Sequence, residues 1–274
     1  MAESSGSPIL RFENVSLAFD GTPALTGVSF QAMAGESRVI LGAAGSGKTV
    51  LLKIALGLTR PDSGRVFVFD REIDAMSERE LMDVRSRIGM LFQESALFDS
   101  LNIEENVAYP LVNQQAIHCP PAEVLPRVVE ALEFVELGDT LEKFPSELSG
   151  GMRRRVGIAR AVVTAPPLVL YDSPTAGLDP ITAHTIMTLL VKQRDLAHAT
   201  TLIVTHRYQD GNLVANFRYN SEQGRLEPVR DGAGNRARTT FMVLREGRLV
   251  FEGYQDRLEA SPDPYISMFV KPRV

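Results

Sequence analysis

The sequence has almost no cysteine, no long apolar run and no excess of basic charge, and each shortage excludes a class of protein. Cys119 is the only cysteine among 274 residues, so no internal disulfide can form, which is consistent with a reducing cytosol. No apolar stretch approaches the roughly 18 residues that span a bilayer, and the Ser- and Gly-rich, acidic residues 1–8 do not resemble a secretion signal. The formal net charge of −5 gives no reason to expect a nucleic-acid partner. We therefore expect a soluble protein that reaches a membrane only through a partner.

One glycine-rich stretch, residues 41–49, organises the rest of the chain. It matches the spacing G-x-x-x-x-G-K-[ST] through Gly42, Gly47, Lys48 and Thr49. An apolar run precedes it and a helix-like segment, 50–58, follows, which gives the order strand, loop, helix. Glycines let backbone N–H groups wrap a polyphosphate closely, and the helix start adds the positive end of its dipole. Lys48 is expected to reach the β- and γ-phosphates and the Thr49 hydroxyl to hold Mg²⁺; a chance Gly-rich turn is the alternative for this motif alone.

Ahead of this loop, residues 9–20 and 25–33 are predicted to form two short strands joined by a turn, and hence a small antiparallel sheet. Phe19, at the turn, is a candidate to stack on a purine ring, an interaction worth about 1–3 kcal/mol. The alternative is that Phe19 is an ordinary strand residue packed into the core.

Three polar side chains stand at the ends of apolar runs in the remaining sequence. Gln93 ends the run 88–92, where its amide can position Mg²⁺ and an attacking water. Asp172 ends the run 168–171, which is typical of a buried parallel strand, and a carboxylate at that edge can hold Mg²⁺ through water. His206 ends the run 201–205 and can reach a γ-phosphate, although a lone His is more often structural.

Residues 95–165 show apolar residues at helical spacing, with prolines at 110, 120, 121 and 145 predicted to break the helices. We interpret them as a mostly helical subdomain. It ends in the turn 148–152, where Ser149 is expected to cap a helix and form a second anion-binding helix start. The run 153–155, three arginines, is expected to be a solvated or phosphate-facing helix turn.

Taken together, these motifs resemble the ATP-binding cassette (ABC) family over about residues 9–253. The phosphate loop, Gln93, the turn 148–152, the strand ending at Asp172, the turn 176–179 and His206 occur in the family's order and approximate spacing. The resemblance implies an α/β fold with a P-loop (RecA-like) core, an antiparallel β subdomain and an inserted α-helical subdomain. It also implies a head-to-tail homodimer with two ATP molecules and Mg²⁺ at its interface.

The family's functional residues carry over to matching positions of this chain. Nucleotide binding is implied for Phe19, Gly42, Ala43, Ala44, Gly45, Ser46, Gly47, Lys48, Thr49 and Val50 of one copy, and for Ser149, Gly150, Gly151, Met152 and Asp179 of the other. Catalytic roles are implied for Lys48, Gln93, Asp172, Ser173 and His206, and Mg²⁺ binding for Thr49, Gln93 and Asp172.

Within the family, residues 92–101 and 105–111 are similar to the ATPase subunit of Mla/Mce-type phospholipid transporters, and Met152, where most relatives carry Gln, points the same way. That similarity implies membrane permease subunits and an Mce-domain lipid-binding protein as partners. It further implies a peripheral location at the cytoplasmic face of the inner membrane.

Ser173 departs from the family pattern, because relatives carry Glu there as general base or water-positioning residue. A hydroxyl cannot accept a proton near neutral pH as a carboxylate can, so ATP binding is expected while rapid turnover is not assured. Two hypotheses follow: a transport ATPase, or a hydrolysis-deficient nucleotide-binding regulatory subunit. Glu94, beside Gln93, is a candidate substitute base or simply an exposed loop acid.

A second departure is the long segment 207–239, where relatives need only a helix. A β-hairpin is predicted over roughly 213–230, as a partner contact or a tolerated surface insertion, with a further turn signal at 231–235. A further hairpin is predicted to close the domain at 241–251. The tail, 254–274, is predicted to be helix-poor at its end and either to dock on the dimer mate or to have no role.

Overall fold

A computed structural model describes residues 7–114, 116–229 and 239–270. Six strands form the central sheet: β3 (Ser37–Leu41), β6 (Ile88–Leu91), β7 (Leu168–Asp172), β8 (Thr200–Thr205), β11 (Thr239–Arg245) and β12 (Arg248–Gly253). Their spatial order is β12-β11-β3-β8-β7-β6, and all neighbours are parallel except the terminal β11–β12 hairpin. Every residue of β3, β7 and β8 is buried, as expected for parallel strands covered on both faces.

A second, antiparallel sheet combines two strands that precede the phosphate loop in sequence with two that follow it. It contains β1 (Leu10–Phe19), β2 (Thr22–Ala32), β4 (Ser63–Val68) and β5 (Arg71–Glu72), in the order β2-β1-β4-β5. Its buried side chains share one apolar cluster with the first helix, α1 (Lys48–Ala55), and with residues of the central sheet. The predicted hairpin and the antiparallel β subdomain are confirmed.

The remaining helices are α2 (Glu78–Arg85), α3 (Ile103–Asn113), α4 (Pro121–Phe134), α5 (Gly150–Val162), α6 (Pro180–Ala197), α7 (Tyr208–Asn216), α8 (Gln255–Glu259) and α9 (Pro264–Val270). Helices α3, α4 and α5 pack on one another and form the predicted helical subdomain. No helix in the described parts of the chain is long and apolar enough to cross a bilayer.

The prediction that Pro110 breaks a helix is wrong, because Pro110 lies inside α3. Two features explain why this helix persists around a residue that cannot donate a backbone hydrogen bond. Asn102 and Glu105 form a reciprocal capping box at its start. Ile103, Val107 and Leu111 are buried in the core along one face.

The segment 207–239 contains a hairpin shorter than predicted. Strands β9 (Phe217–Asn220) and β10 (Arg225–Pro228) pair with each other, and residues 213–216 belong to α7 instead. The hairpin is fixed to α6, since Arg194 donates to the Phe217 carbonyl (2.8 Å) and Asp195 accepts the Tyr219 N–H (2.7 Å). The turn signal at 231–235 lies outside the described residues.

The tail is not helix-poor: α9 occupies residues 264–270. Proline suits the first position of a helix, and Asp263 accepts the Tyr265 N–H (2.8 Å) as a cap. Ile266 is buried in the core. The tail therefore packs on its own chain, where the sequence offered only docking on a dimer mate or no role.

Candidate functional site at the carboxyl edge of the central sheet

The register of the central sheet brings the predicted site residues to one edge. Leu41 of β3 pairs with Thr205 of β8, and Asp172 of β7 pairs with Val204. The phosphate loop and His206 therefore leave adjacent strands at the same level as Asp172. Gln93 follows β6, the neighbour of β7. The edge is the usual ligand site of open α/β sheets.

The phosphate loop connects β3 to α1 in a conformation that its glycines make possible. Gly47 caps α1 with φ of 101°, and a Cβ there would lie 2.5 Å from the Ala24 carbonyl oxygen. A Cβ on Gly42 would lie 2.6 Å from the Leu244 carbonyl oxygen. Neither position can hold a larger residue without moving backbone, so the loop is kept tight with its N–H groups available for an anion.

Lys48 is nearly buried and turns back onto the loop. Its ammonium donates to the carbonyls of Gly42 (2.8 Å) and Ala43 (2.7 Å) and to the Ser46 hydroxyl (3.3 Å). Burial lowers the pKa of the Lys48 amine, and the charge of Asp172 opposes that shift. The loop thus holds a positive group beside the cradle, where phosphate oxygens need one.

Thr49 and Asp172 form the candidate magnesium centre. The Thr49 hydroxyl donates to the Asp172 carboxylate (2.8 Å), although 123 positions separate them. Hydroxyl and carboxylate oxygens are hard ligands of the kind that Mg²⁺ prefers, so the residues present fit that ion. Gln93 lines the same cavity.

Ser173 follows Asp172 with φ of 47°, a left-handed backbone that is costly for a residue with a Cβ. Its N–H bonds to the Val204 carbonyl (2.8 Å), and its hydroxyl bonds to the Asp172 carboxylate (3.1 Å). Ser173 and His206 both line the cavity of about 930 Å³ above the phosphate loop. Glu94 is exposed and is not among the residues that line it.

Several predicted nucleotide contacts, Gly42 among them, do not line this cavity. Phe19 is 49% exposed at the end of β1, so it does not pack into the core, and it is not a lining residue. The turn 149–152 lies elsewhere: the Ser149 hydroxyl caps α5 by accepting the Met152 N–H (3.2 Å), as predicted. Asp179 caps α6 by accepting the N–H groups of residues 181 and 182 (both 3.0 Å). A hydrogen bond from the Thr182 side chain, together with these N–H groups, lowers the pKa of the Asp179 carboxyl. Their nucleotide roles stay predictions.

Asp210 is a site residue that sequence reasoning missed. It is buried in the first turn of α7 and accepts the hydroxyls of Thr175 and Thr205, each at 2.7 Å. It therefore ties the turn after Ser173 to the strand that carries His206. Burial raises the pKa of Asp210, and the two hydroxyls oppose the shift. No local pattern marks this residue, because both partners are distant or on another element.

The tail also contributes to the site. The Tyr265 hydroxyl accepts the Ala43 N–H (3.0 Å) and donates to the Leu244 carbonyl (3.2 Å). Met268 and Phe269 line the cavity together with residues of the phosphate loop. Helix α9 therefore forms one wall of the cavity and holds the first turn of the loop.

Replacing Tyr265 with phenylalanine is expected to lower the free energy of unfolding by about 1 kcal/mol, because two backbone groups lose their partner while the ring stays packed. Urea unfolding measures the change. Tyr254→Phe is the matched control, since Tyr254 is 52% exposed and its variant should unfold like wild type. Equal unfolding free energies for Tyr265→Phe and wild type would show that the hydroxyl does not anchor the loop.

The fold and the site together define a P-loop nucleotide-binding protein, and comparisons with known proteins name its family. Residues 25–176 match the model of the family described as ABC transporter. Among curated relatives, the chain is 42% identical over 214 residues to "Methionine import ATP-binding protein MetN 2" of Rhodococcus jostii (strain RHA1), covering 77% of this chain and 62% of that protein. It is 41% identical over 179 residues to "Probable ribonucleotide transport ATP-binding protein mkl" of Mycobacterium leprae (strain TN), covering 65% and 51%.

Among solved structures, the chain resembles the dimeric cassette MJ0796, described as a post-hydrolysis state bound to ADP and Pi. The TM-score is 0.75 at 29% identity, covering 89% of this chain and 98% of that one. The chain belongs to the ABC transporter family, and its fold is that of an ABC cassette. It spans 62% and 51% of the two curated relatives, so it represents only part of their length.

Proposed function

We propose that this chain binds and hydrolyses Mg-ATP as the ATPase subunit of a membrane transporter. The observation that carries the proposal is the convergence of a tight phosphate loop, the Thr49–Asp172 pair and His206 at one edge of the sheet. Lys48 and the loop N–H groups hold the phosphates, while His206 and Gln93 act at the γ-phosphate. Thr49, Gln93 and Asp172 would hold Mg²⁺, which when bound neutralises charge on the phosphate oxygens.

The proposed active form is a homodimer in which the turn 149–151 of one copy covers the phosphate loop of the other. In support, this chain's own turn 149–152 is not among the residues lining its cavity, which leaves room for the turn of a second copy to cover the phosphate loop. ATP then joins two copies through its γ-phosphate, and hydrolysis removes that link. The difference in affinity of ATP and ADP for the closed dimer is what can drive a transport cycle.

An exposed apolar patch supports a membrane partner. Phe98 and Tyr109 are 41% and 39% exposed, and their rings contact each other at a tilt of 41° with centroids 4.6 Å apart. Val112, one turn further along α3, is also exposed. Contiguous exposed apolar surface typically marks an interaction site, and this patch adjoins the loop that carries Gln93. We propose it as the permease contact, with the chain peripheral at the cytoplasmic face of the membrane.

The descriptions of the relatives point to a cargo. The curated relatives named above are described for methionine import and ribonucleotide transport, and neither description supports phospholipid transport or an Mce-domain partner. The phospholipid hypothesis depends on the similarity of residues 92–101 and 105–111 and on Met152. The description of the first of those relatives favours methionine as the cargo.

Co-purification from native membranes tests the transporter role. Tagged wild-type chain is expected to bring down a membrane permease, and Phe98→Asp is expected to lose it because a buried carboxylate would be unpaired in the contact. Met82→Asp, at a residue that is 55% exposed on α2, should retain the permease. Vesicles containing the complex then report ATP-dependent methionine uptake or phospholipid transfer. Recovery of wild type without any membrane protein would contradict the transporter role.

A further inference from the structure

One face of α5 grips the loop that carries Gln93. The face consists of Arg154, Gly157 and Arg160, which are three residues apart and therefore lie on one side of the helix. A Cβ on Gly157 would lie 2.8 Å from the Leu91 side chain and 3.1 Å from the Cβ of Ser95. The missing side chain thus lets the helix approach the loop closely.

Arg160 fixes the far end of this loop. Its guanidinium donates to the carbonyls of Ser95 (2.6 Å) and Ala96 (2.9 Å). Both residues have left-handed backbone, with φ of 65° and 47°, which residues with a Cβ adopt only when the surroundings impose it. The hydrogen bonds from Arg160 are such a constraint.

Arg154 fixes the near end and reaches a second loop as well. It donates to the carbonyl of Phe92 (3.3 Å), which directly precedes Gln93, and to the carbonyl of Ala176 (3.2 Å), in the turn that follows Ser173. Its side chain is 7% exposed, so the expectation of a solvated arginine is wrong for this member of the run 153–155. Its Nε atom is buried without a partner among the described residues.

The surroundings of Arg154 also shift its pKa. Burial lowers its pKa, and the carboxylates of Asp172 and Glu94 oppose that shift. The guanidinium therefore interacts electrostatically with Asp172, at the end of β7, and with Glu94, in the loop of Gln93. Arg154 also lies five positions after Ser149, the cap of α5, so the first turns of this helix connect these contacts to the turn 149–151.

We propose that Arg154 is a positioning residue for ATP hydrolysis, tying the turn before Gln93 and the turn after Ser173 to the start of α5. Any movement of α5 then moves Gln93 relative to the γ-phosphate. The inference rests on the proposed ATPase function. It assigns Arg154 no contact with the nucleotide.

The test compares Arg154→Gln with Arg155→Gln. Arg155 is on the same helix turn and also donates to two carbonyls, those of Val135 (3.0 Å) and Glu136 (3.4 Å), but both belong to the helical subdomain. The two variants thus lose the same charge and the same number of carbonyl contacts. Arg154→Gln is expected to lower kcat for ATP by about ten- to a hundredfold, the cost of misplacing a reacting group by about an ångström, with little change in KM.

Arg154→Lys controls for a folding defect, because lysine keeps the positive charge and one donor nitrogen. Its kcat is expected to lie between those of wild type and Arg154→Gln. Amide hydrogen exchange supplies a readout that needs no turnover. The Ser95 N–H bonds to the Phe92 carbonyl (2.8 Å), so its exchange should accelerate in Arg154→Gln and stay unchanged in Arg155→Gln.

Equal losses of kcat in the two glutamine variants, or a higher KM at unchanged kcat in Arg154→Gln, would overturn the positioning role. Absence of turnover in wild type would instead count against the proposed function. In that case the exchange of the Ser95 amide alone decides whether Arg154 holds the loop.

Discussion

Replacing Lys48 with alanine is expected to lower ATP turnover by at least about 10²–10³-fold, the usual cost of removing one charged or hydrogen-bonding group from a transition-state site. The Lys48 ammonium donates to the carbonyls of Gly42 and Ala43 within the phosphate loop. When a nucleotide binds, its phosphate oxygens would take the place of these carbonyls as acceptors. It is the buried cation of the phosphate loop, and alanine leaves no donor in its place. Phosphate release at saturating Mg-ATP measures the loss.

Lys53→Ala provides the matched control for that experiment. Lys53 lies on the same helix, α1, but is exposed, so its variant should keep wild-type turnover. Retained activity in Lys48→Ala would mean that the phosphate loop is not the site of hydrolysis. A loss in both variants would indicate damage to α1 and not the removal of a phosphate contact.

Replacing Ser173 with glutamate is expected to raise turnover, and a well-placed general base contributes about 10²–10⁴-fold. Ser173 directly follows Asp172, the proposed magnesium ligand. The Ser173 hydroxyl is hydrogen-bonded to that carboxylate (3.1 Å) and cannot accept a proton near neutral pH as a carboxylate can. The left-handed backbone at this position costs serine and glutamate alike, since both carry a Cβ. The substitution therefore adds a base at little further conformational cost.

Ser173→Gln separates proton acceptance from side-chain size. Glutamine has nearly the shape of glutamate but cannot act as a base, so its kcat should stay near that of wild type. If glutamine raises kcat as much as glutamate, positioning of water and not proton transfer explains the gain. If neither variant changes a rapid wild-type turnover, another group already serves as base.

Much of the fold was predictable because its signals are local. The fully apolar runs that became β3, β7 and β8 can be read without any partner, since parallel strands are buried on both faces. The phosphate loop is contiguous in sequence, so its glycines and Lys48 can be recognised together as one motif. Asp172 and His206 were placed correctly because both follow such runs directly.

The residues that sequence reasoning missed act over long distances. Tyr265 reaches Ala43 across 222 positions, and Arg154 reaches Phe92 across 62. A tyrosine near the end of a chain and one arginine among three carry no local sign of these contacts. Only the packing of α9 and α5 selects them, just as core packing overrides the helix-breaking tendency of Pro110.

The resemblance to Mla/Mce-type transporters depends largely on a segment that includes part of the exposed apolar patch. Residues 92–111 include Phe98 and Tyr109 of the exposed apolar patch, together with the loop of Gln93. We expect the residues of such a surface to depend on the proposed membrane partner more than on the chemistry of the nucleotide site. Identification of the permease, and not further study of the cassette, therefore decides between a methionine importer and a phospholipid transporter.

Steady-state phosphate release from Mg-ATP by the wild-type chain, purified with its permease, tests the central claim most directly. The account predicts release that saturates with ATP, requires Mg²⁺ and exceeds that of Lys48→Ala. The contradicting result is a complex that binds ATP yet releases phosphate no faster than Lys48→Ala. The chain would then be a nucleotide-binding regulatory subunit, and Ser173 would be the reason.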